Sequence, residues 1–287
     1  VSFDDATQLD ALVISHDHLR AFWEDPVVMT RIAALHALND IWARGATPTA
    51  ALAALTLPRM SDALQTRMLQ EIMETARQVF ETNGAEIIGG HTSVGAELTI
   101  GFTVVGRDAA VPFNGGRPDD LLVLTKPLGS GIVMAAEMQR DVPGHHVAGA
   151  LEAMQQSQAG ASQILAKSAT AMTDVTGYGL AGHLLGMAEA CGSGALIELG
   201  KVPLWPGALD CAQRGHRSSL FAASHARLAH LPAEGAAALL FDPQTAGGLL
   251  AAIPEGKAAE VLTALEDSGY EPAVIGRLTQ ERGVRLA

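Results

Sequence analysis

The sequence predicts an α+β protein of two domains, and three observations support this prediction. Short apolar runs of the kind that form strands alternate with longer segments in which apolar residues recur every three or four positions, the spacing of a helix. The stretch DAAVPFNGGRPDD, residues 108–120, is rich in turn-forming residues and interrupts this alternation. The length of 287 residues suffices for one large or two ordinary domains with a substantial core. We therefore expect domains over residues 1–107 and 119–287.

The first domain is predicted to contain two long helices between strands. Gly45, with Pro48 just beyond it, ends the first helix. Ser61 can cap the second helix, which closes at Asn83-Gly84. The expected strands cover residues 12–15, 49–57, 85–88 and 98–105, and the expected helices cover 28–44 and 61–84.

The second domain is predicted to alternate strands and helices again. A short segment, 171–173, leads into a loop at Asp174, and the string DPQTAGG forms a turn between two strands. The expected strands cover residues 121–124, 194–199, 239–241, 249–253 and 273–278, and the expected helices cover 132–139, 146–168, 180–190 and 256–267.

Composition and charge exclude several classes of function. The formal net charge of −12 argues against nucleic-acid binding, which needs a basic face, but it allows a small anionic substrate that metal ions bridge. Cys191 and Cys211 lack the spacing of a disulfide framework or a zinc site, which fits a reducing cytoplasm. No apolar run reaches the ~20 residues that span a bilayer, and the first residues do not resemble a signal peptide. We expect a cytoplasmic protein with neither a nucleic-acid partner nor a membrane partner.

Four aspartates and one glycine pair carry the strongest chemical signal. Carboxylates beside small, flexible loops are what a protein needs to hold Mg²⁺ against a polyphosphate, so the pattern indicates phosphoryl transfer. The residues are Asp5 in FDDAT, Asp17 in ISHDH, Asp40 in LNDIWARG and Asp174 in MTDVTGYGLAGH, together with a predicted turn at Gly89, Gly90, His91 and Thr92.

Each aspartate also has a purely structural interpretation when it is taken alone. Asp5 fits a surface turn, and Asp40 fits a solvated residue near the end of a helix, although the helix dipole disfavours a carboxylate there. Asp17 ends a strand on which His16 and His18 share the opposite face, so we do not expect these histidines to bind a metal.

Each of the other polar motifs also fits either a functional or a structural role. The two glycines of GGHT let backbone N–H groups approach a phosphate, but the Walker and dinucleotide-binding spacings are absent, so an ordinary turn explains the string equally well. We expect Lys126 to be a lysine that leaves a strand and His183 to be a helix-face or capping residue. Asp242 and Thr245 in FDPQTAGGLL fit a structural turn as well as a site.

Taken in order, these strings resemble selenophosphate synthetase (selenide, water dikinase) over nearly the whole chain. The matching strings are FDDA, ISHD, RIAALHALNDIWARGATP, IIGGHT, LTKPLGSGI, AMTDVTGYGLAGH and LLFDPQTAGGLL. TDVTGYGLAGH and DPQTAGG are highly specific. The resemblance implies the fold group of aminoimidazole ribonucleotide synthetase, thiamine-monophosphate kinase and a hydrogenase-maturation protein. In that group the N-terminal domain builds a shared β-barrel in a homodimer, the C-terminal domain is an α/β sandwich, and ATP lies between the domains.

The resemblance also implies an activity and a set of site residues. The family makes selenophosphate, AMP and phosphate from selenide, ATP and water, and it is a Mg²⁺-dependent kinase-type transferase. By residue-to-residue correspondence, the Mg²⁺-binding aspartates are Asp5, Asp17, Asp40 and Asp174, and the nucleotide-phosphate turn is Gly89, Gly90, His91 and Thr92.

This sequence departs from the family pattern at three places. The family has, upstream of FDDA, a Gly-rich segment with a catalytic Cys or selenocysteine and a Lys. Neither Cys191 nor Cys211 lies in such a motif, so we expect the catalytic residues upstream of Val1, in a longer or fused polypeptide. GHRSSL at 215–220 ends in Leu220 where the family has Asn, and His18 stands where an aromatic residue is usual. We therefore expect this chain to bind Mg-ATP but to make little selenophosphate by itself.

Two alternatives remain at this point. The first is a kinase or ligase of the same fold group that acts on another small substrate. The second is a non-catalytic dimerisation or regulatory domain that has kept the fold.

Overall fold

The computed structural model describes residues 6–9 and 11–287. Asp5, one of the predicted metal ligands, lies outside these residues. The elements of the first sheet region are β1 (Ala6–Leu9), β2 (Leu12–Arg20), α1 (Pro26–Trp42), β3 (Thr47–Pro58), α2 (Asp62–Thr82), β4 (Glu86–Gly95) and β5 (Thr99–Arg107). The remainder comprises β6 (Leu121–Leu124), α3 (Ser130–Met138), α4 (Gly144–Met154), α5 (Ala159–Leu165), β7 (Ala171–Asp174), α6 (Gly179–Ala190), β8 (Gly194–Ile197), α7 (Ala208–Gln213), α8 (Phe221–Ala226), α9 (Gly235–Ala238), β9 (Leu249–Ile253), α10 (Glu255–Asp267), β10 (Ala273–Thr279) and β11 (Gly283–Leu286).

The N-terminal sheet has the strand order β1-β2-β5-β3-β4. Only the β3–β4 pair is parallel among these described strands. Helices α1 and α2 pack against it, and the core includes Phe80 of α2 against Phe102 of β5 with ring centroids 5.0 Å apart. The sheet also carries exposed apolar side chains at Leu52, Ile88 and Val94. This sheet is therefore covered by helices while part of its apolar surface remains exposed.

Helix α1 is the element that joins the two halves of the molecule. Its start is set locally, because the Asp25 carboxylate accepts a hydrogen bond from the Val27 N–H at 2.8 Å and Pro26 occupies the first turn. Every residue from Ile32 to Trp42 is buried. One side packs on the N-terminal sheet, while Ile32 packs with α3 residues such as Met134. A helix buried on several sides in this way carries its polar residues into the interior as well.

The C-terminal sheet has the order β11-β8-β10-β6-β9-β7 and is covered on both faces. Leu122 and Leu124 of β6 face the cluster that contains α6, whereas Val123 between them faces the cluster that contains α5 and α10. This alternation is the two-residue period of a strand in the middle of three layers. Within the described ranges, no helix has both the length and the apolar character needed to cross a bilayer.

The prediction of two α+β domains is confirmed, and so are most of the long elements. The expected helix over 146–168 is wrong, because Ser157 interrupts it: its hydroxyl bonds Asn83 and accepts the N–H of Ala159, which starts α5 separately. The expected strand at 239–241 is a 3₁₀ turn, Leu239–Phe241. The sequence did not predict β1, β11, α7, α8 or α9, which are short elements that depend on neighbouring segments.

Candidate functional site

Strand β2 and helix α1 bring four polar residues together, two of which are the predicted metal ligands Asp17 and Asp40. Ser15 and Asp17 are two positions apart, so they lie on the same face of β2, which is the face toward α1. The Ser15 hydroxyl donates a hydrogen bond to Asp40 Oδ2, and Asp17 Oδ1 lies 3.7 Å from His36 Nε2. His36 and Asp40 are one helical turn apart, so the two pairs lie side by side.

His16 and His18 lie on the opposite face of β2, as the alternation predicted. Their ring nitrogens bond the hydroxyls of Thr103 and Thr99 on β5, at 2.9 and 3.0 Å. The two imidazoles stack with a centroid separation of 6.4 Å. Both histidines are therefore engaged with the neighbouring strand, away from Asp17.

Asp40 and Asp174 line the same small cavity. Asp40 comes from α1 and Asp174 from the end of β7, and each is only 4% exposed. The cavity measures about 10 Å³ and is also lined by Arg44 of the α1–β3 connection. One water molecule needs ~10–15 Å³, so the space suits a single small guest. The interpretation of Asp40 as a solvated helix residue is wrong, because packing of the second domain buries this part of α1.

The donor atoms at this cavity suit Mg²⁺. Magnesium is a hard cation that proteins commonly hold through one or two carboxylates, with substrate phosphates and waters completing its coordination. Two buried carboxylates are costly to desolvate unless cations offset their charge, and Arg44, which lines the same cavity, supplies one positive charge. Across residues 6–9 and 11–287, no group of three or more His, Cys, Asp or Glu side chains could hold a metal by itself. Asp17 contacts His36 and is not among the residues that line this cavity.

The GGHT segment is part of strand β4, so the predicted turn is wrong. Its residues pair in parallel with Leu52–Leu55 of β3, and a register irregularity precedes them. The need for glycine is structural at Gly90, where φ is 156° and an added Cβ would lie 2.2 Å from the Ala53 carbonyl oxygen. His91 and Thr92 are exposed. Their contact with a phosphate stays a prediction.

The segment 242–248, which we call the DPQTAGG loop, first organises helix α3. Gln244 Oε1 accepts hydrogen bonds from the backbone N–H groups of Gly129 and Ser130, and Asp242 Oδ2 accepts one from Ile132. Burial raises the pKa of Asp242 to about 7, although hydrogen bonds from the Ile132 N–H and the Gln244 side-chain amide favour the ionised carboxylate. The side chains of the loop thus satisfy the N-terminus of α3.

The same loop also binds α1 and the segment after Asp174. The Ala246 N–H donates to His36 Nδ1 at 3.0 Å, and the Asn39 side-chain amide donates to the Gly247 carbonyl at 2.9 Å. The Val175 N–H donates to the Gly248 carbonyl at 2.9 Å. The sequence presented this string as a turn with an equally good structural explanation. Its partners are His36, which faces Asp17, and the chain neighbours of Asp40 and Asp174, which are Asn39 and Val175.

Lys126 is a buried lysine that donates a hydrogen bond to the main chain of the DPQTAGG loop. Its ammonium donates to the carbonyls of Ala246 at 2.9 Å and Gln156 at 2.8 Å, and burial lowers its pKa to about 7. These contacts agree with the expectation that Lys126 has a structural role rather than a phosphate-binding one.

His183 and Cys211 are buried and Cys191 is partly buried, and none of the three lines the cavity of Asp40 and Asp174. His183 Nε2 bonds the Thr176 hydroxyl at 3.2 Å, and burial, with a smaller effect of nearby His36, lowers its pKa to about 4. Burial raises the pKa of the Cys191 and Cys211 thiols. A raised thiol pKa suppresses the reactive thiolate, so neither cysteine has the environment of a nucleophile.

Two larger cavities lie where the two domains meet. One, of about 700 Å³, is lined by residues that include Trp23, Glu137 and Arg140. The other, of about 360 Å³, is lined by residues that include Arg217 and Thr245. Both are within the range of ~300–1,000 Å³ that small-molecule sites occupy.

Known protein families match both halves of the chain. Residues 3–107 match the N-terminal domain of AIR synthase related proteins, and residues 117–287 match their C-terminal domain. Solved structures with the same fold include thiamine monophosphate kinase from Aquifex aeolicus, with a TM-score of 0.74, 18% identity and coverage of 99% of this chain and 90% of that one. The hydrogenase maturation protein HypE of E. coli superposes with a TM-score of 0.72, 23% identity and coverage of 97% and 82%. At these identities the likeness shows the fold alone.

Curated relatives identify the family more closely. Selenide, water dikinase of Shewanella sp. strain ANA-3 is 35% identical over 279 residues, which are 93% of this chain and 77% of the relative. The enzyme of the same name from Shewanella putrefaciens is 34% identical over 278 residues, with the same two coverages. The chain, an AIR synthase related protein in both halves, therefore belongs to the selenide, water dikinase family of enzymes.

Proposed function

We propose that this chain is the Mg-ATP-binding body of an enzyme that makes selenophosphate from selenide, ATP and water, with AMP and phosphate as the other products. One observation carries the proposal: Asp40 and Asp174, which are distant in sequence, line one cavity with room for a single ion. The similarity to selenide, water dikinases supports the choice of substrate.

In this proposal the aspartates hold Mg²⁺ and the nucleotide. Asp40 and Asp174 present carboxylate oxygens to the metal, and Asp17 and Asp5 complete the set of ligands. Bound Mg²⁺ would neutralise the charge of the polyphosphate against an acidic protein. Residues 89–92 of β4 would contact the phosphates through the open edge of the strand.

The arrangement of domains is part of the proposal. We place the domain boundaries at 1–107 and 119–287, with ATP between the domains, near the cavities of about 700 and 360 Å³. We also propose a cytoplasmic homodimer formed through the N-terminal sheets. The exposed apolar residues Leu52, Ile88 and Val94 support an interface there, because burying them would remove apolar surface from water.

Titration calorimetry with ATP tests the nucleotide and metal site. We expect binding in Mg²⁺ and its loss in excess EDTA. Asp40→Asn and Asp174→Asn should each weaken Mg-ATP binding by about tenfold or more, since carboxylate ligands lose their charge. Asp267→Asn, a change of an exposed aspartate, is the matched control. Absence of binding at millimolar ATP would sink the proposal.

Product analysis separates the proposed reaction from the alternatives. In ³¹P NMR of the reaction mixture, AMP and selenophosphate should form only when selenide is present. Formation of ADP that does not respond to selenide would indicate a kinase on another substrate. Variants at Asp40 and Asp174 that bind, assemble and react like the parent protein would indicate a non-catalytic domain.

A further inference from the structure

We infer that His36 is a positioning residue that sets the orientation of Asp17 according to the position of the DPQTAGG loop. His36 lies on α1 between the two, with Ala246 of the loop at one ring nitrogen and Asp17 of β2 at the other. The inference rests on the proposed function in one respect, which is that Asp17 serves the Mg-ATP site.

The first step is the assignment of the hydrogen on the imidazole. The Ala246 backbone N–H donates to Nδ1 at 3.0 Å, so Nδ1 must offer its lone pair. A neutral imidazole with an accepting Nδ1 carries its hydrogen on Nε2. Nε2 therefore presents an N–H toward Asp17 Oδ1, which is 3.7 Å away. The loop selects the tautomer that faces the carboxylate with a donor.

The second step is the rigidity of the group that holds His36. Ala246 has φ +46°, a left-handed conformation that is costly for a residue with a Cβ. Its carbonyl is held by the buried Lys126 ammonium at 2.9 Å, and the next carbonyl, of Gly247, is held by Asn39 at 2.9 Å. These bonds fix the peptide that directs His36.

The third step is the environment of the ring. The His36 side chain is 10% exposed and the Asp17 side chain 24%, so the pair lies at the edge of the interior. The nearby His183 is buried and has a pKa of about 4, and it is therefore neutral at pH 7. The N–H on His36 Nε2 can thus act on Asp17 without a competing positive charge from His183.

These steps connect the two domains at the site. The loop belongs to the C-terminal sheet region, while Asp17 belongs to the N-terminal sheet. His36 is one side chain that touches both, and a shift of Ala246 moves the donor that faces Asp17. Residues that orient a ligating carboxylate commonly change metal affinity by ~10–100-fold when they are removed.

Two conservative variants separate the two contacts of the ring. In His36→Asn, the side-chain oxygen takes the place of Nδ1 as the acceptor for Ala246, and the group facing Asp17 is lost. In His36→Gln, the side-chain amide takes the place of Nε2, and the acceptor for Ala246 is lost. His145→Asn, on the exposed surface of α4, is the control.

The readouts are Mg-ATP affinity, the split between KM and kcat, amide exchange at Ala246 and the ¹³C resonance of the Asp17 carboxyl. His36→Asn should keep the Ala246 amide protected, yet shift the Asp17 resonance and weaken Mg-ATP binding by roughly tenfold. His36→Gln should keep the Asp17 resonance and most of the affinity while the Ala246 amide exchanges faster. The loss in His36→Asn should appear mainly in KM and should not add to that of Asp17→Asn.

The inference is overturned if His36→Asn has the affinity and the Asp17 resonance of the His145→Asn control, because a purely structural role needs only the Ala246 contact. Full additivity with Asp17→Asn would overturn it too. The Asp17 resonance is measured without nucleotide, so it tests His36 independently. If the parent protein fails to bind Mg-ATP while the resonance shifts as expected, the proposed function fails and the positioning of Asp17 stands.

Discussion

His183 is a buried imidazole of α6 that bonds Thr176 through Nε2, while its Nδ1 has no hydrogen-bond partner within the described residues. Burial of this ring disfavours its charged form, which lowers the pKa to about 4. Burial has the same effect on Lys126, whose ammonium donates to two main-chain carbonyls: it lowers the pKa to about 7. Single buried groups of this kind make the stability of the protein depend on pH.

The depressed pKa of His183 predicts a loss of stability in acid. Above pH 6.5 neither state binds the proton, whereas between pH 6.5 and about 4 the unfolded chain binds it and the folded protein does not. The free energy of unfolding should therefore fall through this window, by about 3 kcal/mol from this group. Urea unfolding of the parent protein and of His183→Gln at several pH values measures the difference. An equal acid dependence in both proteins would refute the assignment, and exposed His145→Gln is the control.

Strand β4 needs glycine at one position because of its neighbour β3, and the sequence of β4 alone does not show this requirement. Gly90 lies where the β3 backbone comes so close that a Cβ has no room. The sequence motif suggested a phosphate-binding turn, whereas the pairing with β3 makes the segment a strand with an exposed edge. A glycine pair in an open strand still leaves backbone groups accessible to a ligand.

Gly90→Ala and Gly149→Ala should change stability in opposite directions. Gly90→Ala forces a backbone clash with Ala53 and should lower the free energy of unfolding by more than about 2 kcal/mol. Gly149 is exposed within α4 with open space around it, so alanine there should raise stability by ~0.5–1 kcal/mol. Thermal and urea unfolding measure both effects. If the two variants shift stability equally, the close approach of β3 and β4 is not what requires glycine.

At the scale of the whole molecule, α1 is shared between the two sheet regions. Its residues pack on the N-terminal sheet, and Ile32 joins the cluster that contains α3 and Ala246. Trp42 also takes part, since its carbonyl accepts a hydrogen bond from the Ser162 hydroxyl at 2.6 Å. Asp40 and Asp174 line one cavity at this junction, so the relative position of the domains sets their spacing.

Asn39→Ala should weaken the junction. The change removes the donor to the Gly247 carbonyl and leaves a buried acceptor unsatisfied, at a cost of roughly 1–3 kcal/mol. Mg-ATP affinity should fall as well, because the DPQTAGG loop loses one of its contacts with α1. Differential scanning calorimetry and titration calorimetry measure these effects against Asn114→Ala, an exposed asparagine in the connecting segment. Wild-type stability and affinity in Asn39→Ala would contradict this role of the junction.

Elements that depend on interactions between residues near in sequence were predicted, whereas elements that depend on distant residues were missed. Helices α1 and α2 were predicted because apolar spacing and terminal residues such as Ser61 and Gly84 act locally. Strands β1 and β11 were missed because each is short and is defined by pairing, with β2 and with β8 respectively. The break between α4 and α5 depends on a contact of Ser157 with Asn83, which lies in the other domain.

In the candidate site too, local motifs were recognised from the sequence, whereas contacts between distant residues were not. The motifs marked Asp17, Asp40 and Asp174 as residues of interest, but the burial of Asp40 follows from packing of the second domain against α1. His36 and Asn39 were not singled out, because their partners in the DPQTAGG loop are about two hundred positions away in the chain. No local sequence pattern indicates a contact between residues that are so far apart in the chain.

By itself, the sequence determined the family resemblance, the two-domain α+β class and the residue types available for chemistry, since these depend on composition, short motifs and local periodicity. The tertiary structure decided that Asp40 and Asp174 share a cavity, that GGHT is a strand and that His36 stands between Asp17 and the DPQTAGG loop. These features arise where two sheet regions close on one helix, because burial and hydrogen bonding there depend on residues that only folding brings together.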